Sequence, residues 1–255
     1  MNLVACGSIY SMMHRIFDHD DEPLYGRKDC EIRLKPFRVS VMKEILHDYN
    51  PDYTSEDLLC LYMLTGGVAK YVAQLIAGGM TTQNQIDTII GKNTGTYLKN
   101  LDEDYSYVSK LLPLFSKPGG RNVKWCIEDC FLRFWFRFVL PNQALLEMER
   151  NDLLLEIVLR DYNDYTGAVL EQYFRQKISE EDRVTRVGRY WDRKGLNEID
   201  IIALNEIDKT ALVAEVKRNA ARYDSRLLEQ KYQSIQSHFG GYKDVKLLGL
   251  SMADM

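Results

Sequence analysis

The sequence predicts a mixed α+β protein made of two or three small domains. Two observations support this class. Apolar residues at helical spacing dominate residues 39–177, and four strand-like runs follow residue 183, with an amphipathic segment between the third and the fourth. At 255 residues the chain is longer than one compact core usually needs. We therefore expect helical modules first and then an α/β domain with a central mixed sheet.

Composition limits the classes of protein to consider. The chain is 45% hydrophobic and 27% charged, which is typical of a globular protein. Its formal net charge is −4, so binding to nucleic acid would need a local basic patch. Five scattered cysteines are typical of a reduced, cytoplasmic chain. We expect no zinc site at Cys126 and Cys130, because no second pair of thiols or histidines lies nearby to complete four ligands. The apolar start of the chain is too short to span a bilayer, so we expect no membrane partner.

The first segment, residues 1–37, has features of a strand and a short helix. We interpret Leu3–Cys6 as a buried strand that ends at Gly7, and residues 9–19 as a helix. Apolar and charged residues alternate over 31–35, which predicts an extended run. A start on a core-type strand suggests that the chain begins in the middle of a larger fold.

Residues 38–79 predict three helices, over 39–49, 54–65 and 68–77. Thr54 followed by Asp57 is an N-terminal capping signature for the second helix. The pair Gly66-Gly67 ends that helix, and Gly78-Gly79 ends the third.

Residues 80–145 predict a winged helix. One helix spans 82–90, and another opens at Thr94 and carries an apolar face as far as Val108. Strands over 113–117 and 123–127 would flank a turn at 118–120 and form the wing. The second helix is rich in acids, so we interpret the module as structural or protein-binding rather than DNA-reading.

The stretch 131–139 holds four phenylalanines and a tryptophan. Such a stretch either stacks on nucleic-acid bases or packs in a core, and we favour packing against the winged helix. Arg133 and Arg137 are spaced i and i+4, so one basic stripe would face solvent.

The last segment, residues 146–255, predicts an α/β domain. A long helix over 145–177 should break near 163–167, where Gly167 lies. The predicted strands cover 183–190, 198–204, 211–217 and 245–250, and a helix covers 224–238.

Two of these strands carry the candidate chemistry. Asp200 begins one strand and Glu215 ends the next, so a hairpin would bring their carboxylates together to share a magnesium or manganese ion. Lys217 lies two residues after Glu215 and projects from the same face, where it can stabilise negative charge in a transition state. Glu171 on the preceding helix is a third candidate carboxylate. These residues are the minimum set for metal-assisted phosphodiester hydrolysis.

Solvated charges are the alternative interpretation of this pattern, because Glu-x-Lys is common on strands. Asp200 and Glu215 nevertheless lie within apolar runs, where an acid needs a partner or a ligand. Basic residues on both sides of the site are candidates for binding a phosphate backbone, or else form a solvated face. These residues are Arg186, Arg189, Arg193, Lys194, Arg218 and Arg222.

Taken together, these segments resemble the C-terminal part of archaeal and bacterial AAA-type ATPases that end in a restriction-endonuclease-like, PD-(D/E)XK domain. The resemblance covers nearly the whole chain. The matching segments are Leu3–Ser8, Pro23–Arg27, Thr65–Tyr71, Phe131–Phe138, Trp191–Gly195, Asn197–Asp200 and Glu215–Lys217.

The resemblance implies an ATPase remnant over 1–37, a helical lid over 38–79, a winged helix over 80–145 and a nuclease-like domain over 146–255. It places the catalytic site at Glu171, Asp200, Glu215 and Lys217, supported by Gln230 or Lys231. Arg27 would contact a nucleotide phosphate. The chain has no Gly-x-x-x-x-Gly-Lys-Ser/Thr loop, and its predicted lid is short. We therefore expect a truncated member that does not hydrolyse ATP by itself.

Two functions from different classes remain open. The first is metal-dependent hydrolysis of DNA by the last domain. The second is a non-catalytic, regulatory tail that binds nucleic acid or protein within an ATPase assembly, with an ATPase or another copy of the chain as its partner.

Overall fold

The computed structural model describes residues 16–30, 34–79, 81–83, 108–117, 122–127 and 129–255. The chain forms two compact units, Met1–Lys35 with Asn93–Ser106, and Pro36–Lys92 with Tyr107–Met255. In the first unit, Lys28 Nζ lies 2.8 Å from an oxygen of Asp18 within a short turn structure. The predicted strand Leu3–Cys6 and the winged-helix segments over 84–107 lie outside the described residues.

Three helices open the second unit: α1 (Val39–Tyr49), α2 (Ser55–Thr65) and α3 (Ala69–Ala77). The predicted cap of α2 is confirmed, because Thr54 Oγ1 accepts from the Asp57 backbone N–H and Asp57 accepts from the Thr54 backbone N–H at 2.8 Å. Gly67 has φ +80°, and a Cβ there would lie 2.7 Å from the Phe37 carbonyl oxygen. The turn after α2 therefore requires glycine.

The segment that we predicted to form the wing folds differently from that prediction. Strand β1 (Val108–Leu111) pairs antiparallel with β2 (Lys124–Ile127), so Val108 lies on a strand rather than on a helix. The predicted strand over 113–117 is wrong: this segment is a turn in which Phe115 has φ +70° and the Leu114 N–H donates to the Arg189 carbonyl at 2.8 Å. Apolar burial is the reason, because Leu114 and Phe115 pack on the core of the last sheet.

The aromatic stretch forms helix α4 (Cys130–Phe134), which continues as a π-helical turn over Trp135–Val139. Core packing is confirmed: its buried residues are Phe131, Leu132, Phe134, Trp135, Phe138 and Val139. They pack against α2 and the long helix that follows, and α4 also contacts β2. Packing against the predicted helices of the winged helix concerns residues outside those described. Arg137 is exposed, but the outward position predicted for Arg133 is wrong, because its guanidinium donates inward to Cys130 Sγ and Gln172.

After a 3₁₀ turn (Leu140–Asn142) and α5 (Gln143–Glu147), helix α6 runs without interruption over Asn151–Ser179. The predicted break near 163–167 is wrong. Residues on both sides of Gly167 are buried, so tertiary packing outweighs the low helix propensity of glycine. The chain breaks earlier, where Glu149 has φ +56°.

The last domain contains strands β3 (Arg186–Trp191), β4 (Glu198–Asn205), β5 (Thr210–Val216) and β6 (Asp244–Leu250), in that order across the sheet. The pairs β3–β4 and β4–β5 are antiparallel, and β5–β6 is parallel. Helix α7 (Ser225–Ile235) connects the parallel pair, and α6 also contacts the sheet. The predicted mixed α+β class with a central mixed sheet is confirmed.

Strand and helix side chains together form the core under α7. It contains Ile199, Ile202, Leu204, Ala211, Val213, Leu228, Ile235 and Phe239. None of the helices that the structure describes combines the length and the apolar character needed to cross a bilayer.

Candidate functional site

Asp200 and Glu215 meet at one end of the central sheet. The antiparallel register of β4 and β5 places Ile201 opposite Ala214, so the two acids occupy adjoining positions where the ladder ends. Asp200 Oδ2 accepts a hydrogen bond from the Val216 N–H at 2.8 Å. The hairpin therefore brings both predicted carboxylates to the same end of the two inner strands, which we call the sheet edge.

Two lysines hold the carboxylate of Glu215, which is 7% exposed. Lys217 Nζ lies 3.0 Å from Oε1, as the two-residue spacing on one strand face predicts. Lys231 Nζ reaches from α7 to both oxygens, at 2.8 and 3.0 Å. Of the two supporting residues that the resemblance implies, Lys231 contacts the site, whereas Gln230 is exposed.

Helix α6 contributes a second acid and an arginine. Arg175 lies one helical turn after Glu171; its guanidinium contacts the Glu171 carboxylate at 3.5 Å and donates to the Asp200 carbonyl oxygen at 3.2 Å. Arg189 on β3 lies 4.0 Å from the same carboxylate. Sequence reasoning missed Arg175, although its i, i+4 spacing from Glu171 was a usable signal. We call Glu171, Arg175, Asp200, Glu215, Lys217 and Lys231 the sheet-edge cluster.

The electrostatics of this cluster centre on Asp200. Burial, followed by the charge of Glu171, raises the pKa of Asp200 to about 6, although the Val216 hydrogen bond opposes the rise. Burial disfavours the charged form of Lys217, but Glu215 outweighs it and raises the Lys217 pKa. Burial and then the neighbouring Arg189 lower the pKa of Arg175 to about 10. An ionised Asp200 and a protonated Arg175 are thus both unfavourably placed charges of the cluster.

The basic residues predicted to bind a phosphate backbone have different surroundings. Arg193 and Lys194 are exposed in the turn between β3 and β4, and Arg222 is exposed after β5. Arg186 pairs with Glu206 at 3.3 Å. Arg189 lies beside Glu171.

Arg218 points inward, towards α2. Its guanidinium lies 2.5 Å from Glu56 at the start of α2 and donates to Thr166 Oγ1 at 2.7 Å. Arg27, predicted to contact a nucleotide, is an exposed residue of the first unit.

The donors at the sheet edge are carboxylate oxygens, which suit magnesium or manganese rather than zinc. Among the residues that the structure describes, no group of three or more histidine, cysteine, aspartate or glutamate side chains is arranged to hold a metal ion. Magnesium commonly uses one or two protein carboxylates and completes its shell with waters and substrate phosphates. Asp200 and Glu215 fit that smaller requirement. The raised pKa of Asp200 reflects burial first and then the charge of Glu171, and a cation would offset the charge contribution.

Comparison with known proteins gives two matches. Residues 135–239 match DUF234, a family described as archaeal and bacterial proteins of unknown function. An uncharacterized protein of Methanocaldococcus jannaschii is 26% identical over 97% of this chain, which spans 65% of that relative's length. No solved structure gives a significant match. The chain is thus similar to the DUF234 family over a region that includes every residue of the sheet-edge cluster.

Proposed function

We propose that this chain is the C-terminal portion of an AAA-type ATPase and that its last domain hydrolyses phosphodiesters of DNA in the cytoplasm. One observation carries the proposal: strands β4 and β5 and helix α6 bring Asp200, Glu215, Lys217 and Glu171 to one sheet edge. Acids and a lysine on adjoining strand ends are the arrangement that phosphodiester hydrolysis needs. ATP chemistry is not assigned to this chain, because it has no phosphate-binding loop.

Each side chain has a distinct role in this proposal. Asp200 and Glu215 would hold a divalent cation with one oxygen each, since Asp200 Oδ2 is already engaged by the Val216 N–H. Lys217, whose raised pKa keeps it protonated, supplies positive charge beside the phosphate as negative charge develops. Lys231 fixes the orientation of Glu215. Glu171 adds a carboxylate next to Asp200 that can hold a water molecule.

A bound magnesium ion would supply Lewis acidity towards the phosphate and ease the ionisation of water. The chain's own contribution would be to hold the Asp200 carboxylate in place for that ion through the Val216 N–H. Because the pKa of Asp200 is about 6, its carboxylate is mostly ionised at neutral pH. Arg175, which donates to the Asp200 carbonyl, fixes the backbone at this position.

The experiment is cleavage of supercoiled, linear and single-stranded DNA by purified protein with magnesium or manganese. Wild-type protein should nick DNA, whereas Glu215→Gln should not. Glu206→Gln is the matched control, because Glu206 lies in the turn at the opposite end of β4. Absence of cleavage of every DNA form by clean wild-type protein, or equal cleavage by Glu215→Gln, would contradict the proposal.

A binding module is the second candidate, and the charge balance of the cluster favours it. Glu215 already faces two lysines and Glu171 faces two arginines, so the acids have partners without a metal. The Arg218–Glu56 ion pair also connects the end of β5 to the predicted lid, as a regulatory tail of an ATPase assembly would require. Calorimetry separates the candidates: a manganese site lost in Asp200→Asn supports hydrolysis, and no manganese binding supports the binding module.

A further inference from the structure

We propose that the turn Asp192–Asn197, here called the wedge turn, is a contact surface for duplex DNA beside the sheet-edge cluster. In this inference Leu196 wedges against the bases, and Arg193 and Lys194 bind phosphates. The inference rests on the proposed function and adds to it a preferred form of substrate. It comes from an exposed apolar side chain, two cations and the position of the turn.

The wedge turn holds its shape through its own hydrogen bonds. Asp192 Oδ1 accepts from the backbone N–H groups of Lys194 and Leu196, each at 3.0 Å. The Asp192 N–H donates to the Asn197 carbonyl at 3.0 Å. Gly195 has φ +67°, a backbone conformation that favours glycine. On this fixed support, Leu196 is 81% exposed, a large value for an aliphatic side chain.

The wedge turn is joined to the cluster through α7. Asn197 Nδ2 donates to the Lys231 carbonyl at 3.3 Å and to Ser234 Oγ. Lys231 in turn holds Glu215. Leu196 lies four residues before Asp200. Strand β4 begins only at Glu198, so the fully extended value of about 3.3 Å per residue gives an upper bound of roughly 13 Å, or about four base steps of B-DNA.

Charge distinguishes this turn from the one at the other end of β4. There, Ile207 is also exposed, at 77%, but the neighbouring acids are paired: Asp208 with Arg183 at 2.8 Å and Glu206 with Arg186 at 3.3 Å. In the wedge turn the cations Arg193 and Lys194 are exposed, and neither has an ion-pair partner within the described part of the chain. Exposed cations can bind the phosphates of a duplex while the neighbouring apolar side chain contacts its bases.

An apolar side chain that enters a base step unstacks it, at a cost of a few kcal/mol. That cost is lowest where stacking is already disturbed, at mismatches, nicks and junctions. The wedge turn therefore predicts a preference for distorted duplexes over regular ones, with the disturbed step within about four base pairs of the phosphate that is cut.

The test compares Leu196→Ala with Ile207→Ala, the same change at the opposite end of β4. Binding to a duplex is followed by fluorescence anisotropy in calcium, and unstacking is followed by 2-aminopurine placed opposite a mismatch. Wild type and Ile207→Ala should raise the 2-aminopurine signal several-fold, and Leu196→Ala should remove most of that rise. Arg193→Ala with Lys194→Ala should reduce the slope of log affinity against log salt by about 2.

Two outcomes would overturn the inference, and they are distinguishable. If wild type binds and cuts DNA but Leu196→Ala unstacks the base as Ile207→Ala does, the wedge turn is wrong and the proposed function stands. If wild type binds no DNA, both fail together. Leu196→Met, which keeps an apolar side chain of similar size, should retain the signal, so a loss in Leu196→Ala is not a folding defect.

Discussion

Replacing Asp200 with asparagine should make the protein more stable while removing the proposed activity. The carboxylate is half-buried beside Glu171, and its burial and the charge of Glu171 raise its pKa to about 6. Asparagine has nearly the same shape, and its Oδ1 can still accept the Val216 hydrogen bond. The variant thus removes an unfavourable charge and keeps the favourable contact.

The size of the effect follows from the pKa. An unfolded aspartate titrates near 3.9, so an ionised Asp200 with a pKa of about 6 costs the folded state roughly 3 kcal/mol. The folded state binds the Asp200 proton more tightly than the unfolded chain does. The stability that the protonated side chain contributes is therefore fully present below about pH 4 and is lost as pH rises through 6. For a chain of this length, 3 kcal/mol corresponds to a rise in Tm of about 6–12 °C at pH 8.

Thermal unfolding followed by circular dichroism at pH 8 and pH 4 tests this reasoning. Asp200→Asn should exceed wild type in Tm at pH 8, and the difference should largely disappear at pH 4. Asp208→Asn is the control: a hydrogen bond from Asn205 holds the pKa of Asp208 below its usual value, so its replacement should bring no gain at pH 8. An Asp200→Asn protein that melts below wild type at pH 8 would refute the electrostatic account of the cluster.

Three further predictions concern the same region. DNA cleavage should fall about tenfold per pH unit below pH 6, because a protonated Asp200 does not bind a cation, and a rate that is flat between pH 5 and 7 would contradict this. Lys231→Met should destabilise the protein by about 3 kcal/mol in urea unfolding, because buried Glu215 loses a partner. Added manganese should then restore more stability in the variant than in wild type. A double-mutant cycle of Glu56→Ala and Arg218→Ala should give a coupling of about 1 kcal/mol, reduced because Glu56 is 37% exposed. Zero coupling would mean that the ion pair does not connect α2 with the end of β5.

Local patterns were sufficient to predict the parts of the fold that short-range chemistry determines. Thr54 and Asp57 form a reciprocal cap, and Gly66-Gly67 ends α2 in the left-handed region, as residue type alone indicates. The hairpin of β4 and β5 was readable because apolar runs flank a polar turn, and its register then places Asp200 and Glu215 together.

Tertiary contacts decided what the sequence did not reveal. The segment 113–117 looked like a strand, but Phe115 stacks on His238, with ring centroids 4.7 Å apart, and the chain turns to reach that contact. Gly167 looked like a helix break, yet the packing of its neighbours keeps α6 continuous. Arg218 looked like a phosphate contact because its distant partner, Glu56, is 162 residues away in sequence.

The most direct test of the central claim is the single-turnover rate at which the protein with magnesium opens supercoiled DNA, measured for wild type and Asp200→Asn. The account predicts metal-dependent nicking by wild type and a rate at least about 100-fold lower for Asp200→Asn, although that variant is the more stable protein. Equal rates for the two proteins, or no nicking by wild type, would contradict it.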